Sequence, residues 1–157
     1  MKSIKVKFKI NTIEEEKEVA DMTKGAIDFF KKENILFKWA DERTIQQNYN
    51  ERKYKDFLKK IKKRWKKEEN KFVEKLIDFF KVEDINFTVK ITSYGPMGFY
   101  QADKNQIILN LYNEKPVRTI KHEMVHIMVE PFIQKYSIDH NDKERSVNFI
   151  TDFLDKS

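Results

Sequence analysis

Hydrophobic positions change period along the chain. Ile4, Val6, Phe8 and Ile10 alternate with lysines, the two-residue repeat of a half-exposed strand. Asn11 or Thr12 can cap a helix whose first turn carries Glu14, Glu15 and Glu16. That helix is predicted to run to about Lys32, turning Val19, Met22, Ala26, Ile27, Phe29 and Phe30 inward. Residues 35–39 read as a short strand and residues 40–50 as a polar loop. From 51 to about 81, Tyr54, Phe57, Leu58, Ile61, Trp65, Phe72, Val73, Leu76, Ile77 and Phe80 recur at helical spacing. They predict one long amphipathic helix with its aromatic side on a core.

The period then returns to two. Ile85, Phe87, Val89 and Ile91 form a second strand pattern, and residues 106–111 (QIILNL) a third. Between them, residues 94–98 hold two of the three glycines and predict a turn. Residues 99–101 can extend again, and residues 103–105 turn the chain. Pro116 suits the first turn of a helix reaching Glu130, where Pro131 is expected to disturb it. A last helix, capped by Ser137 or Asp139, is expected to run to about Asp155. These elements predict an α+β fold. Its small, mostly antiparallel or mixed sheet packs on the long amphipathic helix. The 157 residues suit a single domain. Residues 1–50 read as an N-terminal appendage and residues 51–157 as the core.

Charge adds a local feature. Of the net +6, residues 51–67 hold ten Lys/Arg against two Asp/Glu, which leaves the remainder slightly acidic. The basic helix is either a solvated face or a surface for nucleic acid or an acidic partner. No signal-like or membrane-spanning run is expected, and the cytoplasm is the expected compartment. With Cys 0, any metal must be held by His, Asp or Glu.

The Pro116 helix contains His122-Glu123-Met124-Val125-His126, an H-E-x-x-H sequence. Residues four apart share one face of a helix, so His122 and His126 can both reach one Zn²⁺. Glu123 is placed to act as general base on a water activated by the metal. A third ligand is needed. Glu130 is too close in sequence to His126, and Asp139 and Asp142 suit helix capping. His140 and Glu144 remain, four apart on the last helix.

With Glu144-Arg145-Ser146-Val147-Asn148 after the motif, the chain resembles the gluzincin metallopeptidases, in particular their compact minigluzincin type. The resemblance covers roughly residues 52–157. It implies a zincin-like fold with an H-E-x-x-H helix and a C-terminal glutamate helix. It also implies zinc held by His122, His126 and Glu144, with Asn148 orienting a ligating imidazole through its free N–H. The segment Gly98, Phe99 and Tyr100 falls where zincins bind substrate in extended form by main-chain hydrogen bonds; an ordinary hairpin is the plainer reading of the same residues. Metzincins do not fit, because Val129 and Phe132 stand where their Gly and His belong. Deformylases need a Cys ligand. Tyr136 and His140 are candidates for stabilising an oxyanion.

The function expected is a zinc-dependent metallopeptidase, with Glu123 as general base. The alternative is a regulatory zinc protein that binds nucleic acid or a protein partner through residues 51–67. A third possibility is a latent enzyme, its cleft covered by residues 1–50 or by the last residues.

Overall fold

The computed structural model describes residues 3–156. The alternating segment forms β1 (Ser3–Ile10), and Ile85, Phe87, Val89 and Ile91 lie in β3 (Asp84–Thr92). The two strands run parallel, pairing Ile4 with Ile85 through Ile10 with Ile91. β6 (Gln106–Asn110) adds parallel to β3, and β5 (Gly98–Gln101) adds antiparallel to β6. The mixed sheet is therefore ordered β1-β3-β6-β5, with β1 and β5 at its edges. β2 (Phe37–Lys38) and β4 (Gly95–Pro96) make a separate two-stranded ladder.

Register places Ile4, Phe87, Val89, Ile91, Ile107 and Leu109 on one sheet face. That face joins one buried cluster with Ile61, Trp65, Phe72 and Leu76 of α4 (Glu51–Phe80) and Ile120, Met124 and Ile127 of α5 (Pro116–Lys135). The opposite face meets α1 (Ile13–Lys24). There Glu15 pairs with Lys90, and Val19 and Thr23 approach Gly95. Residues 3–10 thus pair along their whole length with the central strand β3.

The helices differ from expectation in three places. The helix predicted over 12–32 divides at Gly25 and Ala26 into α1 and α2 (Ile27–Lys32). Its start is as expected: Thr12 and Glu15 form a reciprocal capping box. Residues 42–48 form a helix, α3 (Glu42–Asn48), where a loop was expected. Asp41 caps it, and Ile45 is its single buried side chain, too few apolar positions to reveal a period. α5 continues through Pro131 to Lys135. Proline removes one backbone hydrogen bond there, while Ile133, buried in the core, holds the last turn.

α6 (His140–Lys156) follows α5 after Ser137, whose φ of 49° ends the preceding helix. Asp139 is the cap, accepting from the Asp142 amide at 2.9 Å. Arg118–Asp152 and Lys121–Asp155 ion pairs join α5 to α6, and buried Lys121 also meets Glu68 of α4. Among the described residues no helix is long and apolar enough to cross a membrane.

Candidate metal centre

The α5–α6 pairing brings the motif to its partner. α5 packs Ile120, Met124 and Ile127 into the core, which leaves His122 and His126 on the side toward α6. Their Nε2 atoms lie 3.1 Å apart. Glu144, in the second turn of α6, points both carboxyl oxygens at them. One lies 3.1 Å from His126 Nε2 and the other 3.5 Å from His122 Nε2. Glu144 is therefore the α6 residue that meets the two imidazoles. His140 lines the same cleft but turns edge-on to Phe29 at 5.8 Å.

The electrostatics follow from burial and crowding. Burial raises the Glu144 carboxyl, but hydrogen bonds from His122 and His126 outweigh this and hold it well below the usual carboxylate range. Burial pushes His126 down, against the pull of Glu144, which favours a neutral imidazole. Neutral imidazole and ionised carboxylate are the donor forms a metal requires. Glu123 is 6% exposed, and burial pushes its carboxyl up to about 7. The Glu144 charge adds to that rise, and His122 and Lys143 oppose it. A carboxyl oxygen of Glu123 and one ring nitrogen of each histidine lie within 4.8 Å of one another.

A cleft of about 460 Å³ opens over these groups. β5 forms one wall. Tyr100 stacks on His126 at 4.7 Å with planes 15° apart, and its hydroxyl donates to Glu130 at 2.8 Å. Glu130 is thus engaged away from the histidines. Lys143 donates to the Tyr100 hydroxyl at 3.3 Å and lies over its ring. Phe30, Glu33 and Ile35 form the facing wall. Nothing in the sequence pattern marked those three as cleft residues, although Phe30 reads as an inward-facing helix position and Ile35 as part of a short strand. Lys143 carried a weak signal, being next to Glu144 and one turn from His140.

Two expected residues stand elsewhere. Tyr136 is 65% exposed and pairs with Lys135. It lies ten residues beyond His126, about 15 Å along the axis, so it is withdrawn as an oxyanion group. Asn148 is exposed and bonds to neither histidine. The buried seam of α6 runs through Val147, Thr151 and Leu154, and Asn148 lies about 100° off Val147. His126 Nδ1 is buried without a hydrogen-bond partner, so no side chain fixes that imidazole from behind.

Gly98 has a tighter constraint than an open edge strand imposes. A Cβ there would stand 2.3 Å from Thr119 Cγ2. The glycine lets β5 lie directly on α5, beside Glu123. Gly98→Ala is expected to cost about 1–3 kcal/mol through this overlap. Thr119→Ser removes the offending methyl and keeps the hydroxyl that accepts from Asn113. The double variant should regain most of the loss in a denaturant titration; strict additivity of the two changes would contradict the contact.

Against protein-family models, curated proteins and solved structures the chain has no match.

Proposed function

We propose that this protein is a zinc-dependent peptide hydrolase, with His122, His126 and Glu144 holding the metal. One observation carries the reading. Metal–ligand bonds of about 2.0–2.1 Å at tetrahedral angles put neighbouring ligand atoms about 3.3–3.4 Å apart. Here the His122 and His126 Nε2 atoms stand 3.1 Å apart, and each faces its own Glu144 carboxyl oxygen, at 3.5 and 3.1 Å, separations in the same range. Three protein ligands leave a fourth position, facing the cleft, for water and substrate. The finer reading of the α+β fold as zincin-like, with an active-site helix and a glutamate helix, belongs to this proposal.

Bound there, zinc supplies Lewis acidity, which makes water a nucleophile near neutral pH and polarises a carbonyl. The chain's own residues do the rest. β5 is paired with β6 alone, and its free edge is available to align an extended peptide by main-chain hydrogen bonds. Glu123 accepts a proton as the water oxygen attacks the scissile carbonyl carbon. It returns that proton to the amide nitrogen as the C–N bond breaks. The Lys143 ammonium has no carboxylate partner among the described residues. It faces the developing oxyanion, the role first sought for Tyr136 and His140.

Two measurements test this reading. Purified protein should carry one zinc per chain by elemental analysis, with the metal lost in Glu144→Ala and kept in His140→Ala. The reverse pattern would move the third ligand to His140, and no zinc in the native chain would end the proposal. Lys143→Met should keep zinc and lower kcat by about 10²-fold with little change in KM. Lys143→Arg should restore part of that loss, and an unaltered kcat in Lys143→Met would remove the residue from the mechanism.

A further inference from the structure

The sheet has a second free edge, on the side away from the cleft. Among the described residues β1 pairs only with β3, so one side of an eight-residue strand offers unpaired main-chain N–H and C=O groups. A groove of about 450 Å³ runs along this edge. Half-buried Val6 and Phe8 contribute its apolar surface above buried Trp65, and Lys7, Lys9, Lys62, Lys66 and the acid Glu69 stand around it. Lys59 lies on the same helical stripe as Lys62 and Lys66. These five lysines are exposed. None of them has a carboxylate partner among the described residues.

We infer that this edge binds an acidic peptide segment in extended form, added to β1 as a further strand. The charge requires an anion, and the backbone decides which kind. A strand edge presents donors and acceptors in alternation, and an incoming peptide supplies the complement of both. A DNA backbone carries acceptors only and an RNA backbone adds just one 2′-hydroxyl donor per nucleotide, so the phosphates would satisfy the N–H groups and be repelled by the carbonyls. The lysines also fix the pattern of acids. Lys7 and Lys9 project from the sheet face opposite α4, whereas Lys62 and Lys66 stand on α4 itself. Because successive side chains of a strand point to opposite faces, the matching segment carries consecutive acidic residues rather than every second one. This inference does not depend on the metal centre.

The test uses the full chain and three labelled probes. One is an eight-residue Glu/Asp-rich peptide. The second is the same peptide with alternate amides N-methylated. The third is a single-stranded oligonucleotide of equal charge. Fluorescence anisotropy should show binding of the first, weakening as salt rises and by about tenfold or more in Lys62→Glu/Lys66→Glu. N-methylation should weaken it by about tenfold or more as well. Lys31→Glu/Lys32→Glu, on another surface, should leave it unchanged. Hydrogen exchange should slow at β1 amides in the complex. Equal binding of the methylated peptide, or tighter binding of the oligonucleotide, would overturn the strand-addition model. Absence of binding by all three would mean that the lysines only guard the edge against association with other strands.

Discussion

Glu123→Gln is expected to bind zinc as the native chain does and to cleave peptide about 10²–10⁴ times more slowly. The amide has the shape of the carboxyl and fits the same buried site, but it cannot accept a proton from water. Retained zinc is the informative half of the result, because the proposal makes His122, His126 and Glu144 the ligands and leaves Glu123 beside them. Its carboxyl sits against β5, 3.7 Å from where a Cβ on Gly98 would be, next to the edge strand that the proposal assigns to substrate. Elemental analysis alongside cleavage of a quenched-fluorescent peptide library separates the two roles. Residual cleavage near the native rate would dismiss Glu123 as the base. Loss of zinc would instead make it a ligand or a structural support.

The second large effect concerns Glu16, which bonds to none of the candidate metal ligands. Its side chain is fully buried in α1 and accepts four hydrogen bonds. Asn11 Nδ2 and the Thr92 hydroxyl bond to one oxygen at 2.8 and 2.6 Å. The Tyr54 hydroxyl and the Ser93 amide bond to the other at 2.6 and 2.8 Å. Burial and the adjoining Glu16 carboxyl hold the Tyr54 phenol well above its ordinary range. One side chain thus ties α1 to α4 and to the segment leading from β3 toward β5. Glu16→Ala leaves four donors unpaired in the interior, and we expect a loss of about 3–5 kcal/mol. For a domain of this size that lowers the melting midpoint by roughly 6–20 °C. Glu16→Gln should suffer too, since its NH₂ would face two donors. Calorimetry on both variants decides the matter, and a midpoint within a degree of the native value would refute the network's importance.

The contrast between these two glutamates explains what the sequence could disclose. Glu123 is legible because its partners are local: His122 and His126 lie within one helical turn, where spacing alone fixes geometry. Glu144 is one step harder, requiring the α5–α6 pairing, and the resemblance supplied it. Glu16 reads as one of three equivalent acids in a helix first turn. Only the tertiary fold turns Glu14 to solvent, sets half-buried Glu15 against Lys90 and sends Glu16 into the interior. The strands were plain where a strict alternation existed, as in β1 and β3. The order β1-β3-β6-β5 was not, since no local pattern specifies which strands become neighbours. Asn148 shows the converse: the resemblance implied an orienting role for it, but the buried seam of α6 runs through Val147, Thr151 and Leu154 and leaves Asn148 exposed.

The wall made by Phe30, Glu33 and Ile35 changes how the first fifty residues can be altered. Removing them would strip β1 from the sheet and one side from the cleft together, so a truncated chain could not report on latency. Exchanging residues 29–36 alone would be the gentler manipulation, for it leaves β1, the Glu16 hydrogen bonds and the pairing of His122 and His126 with Glu144 in place. The reach of the cleft could then be retailored by replacing a short surface panel, independently of the residues that carry out the reaction.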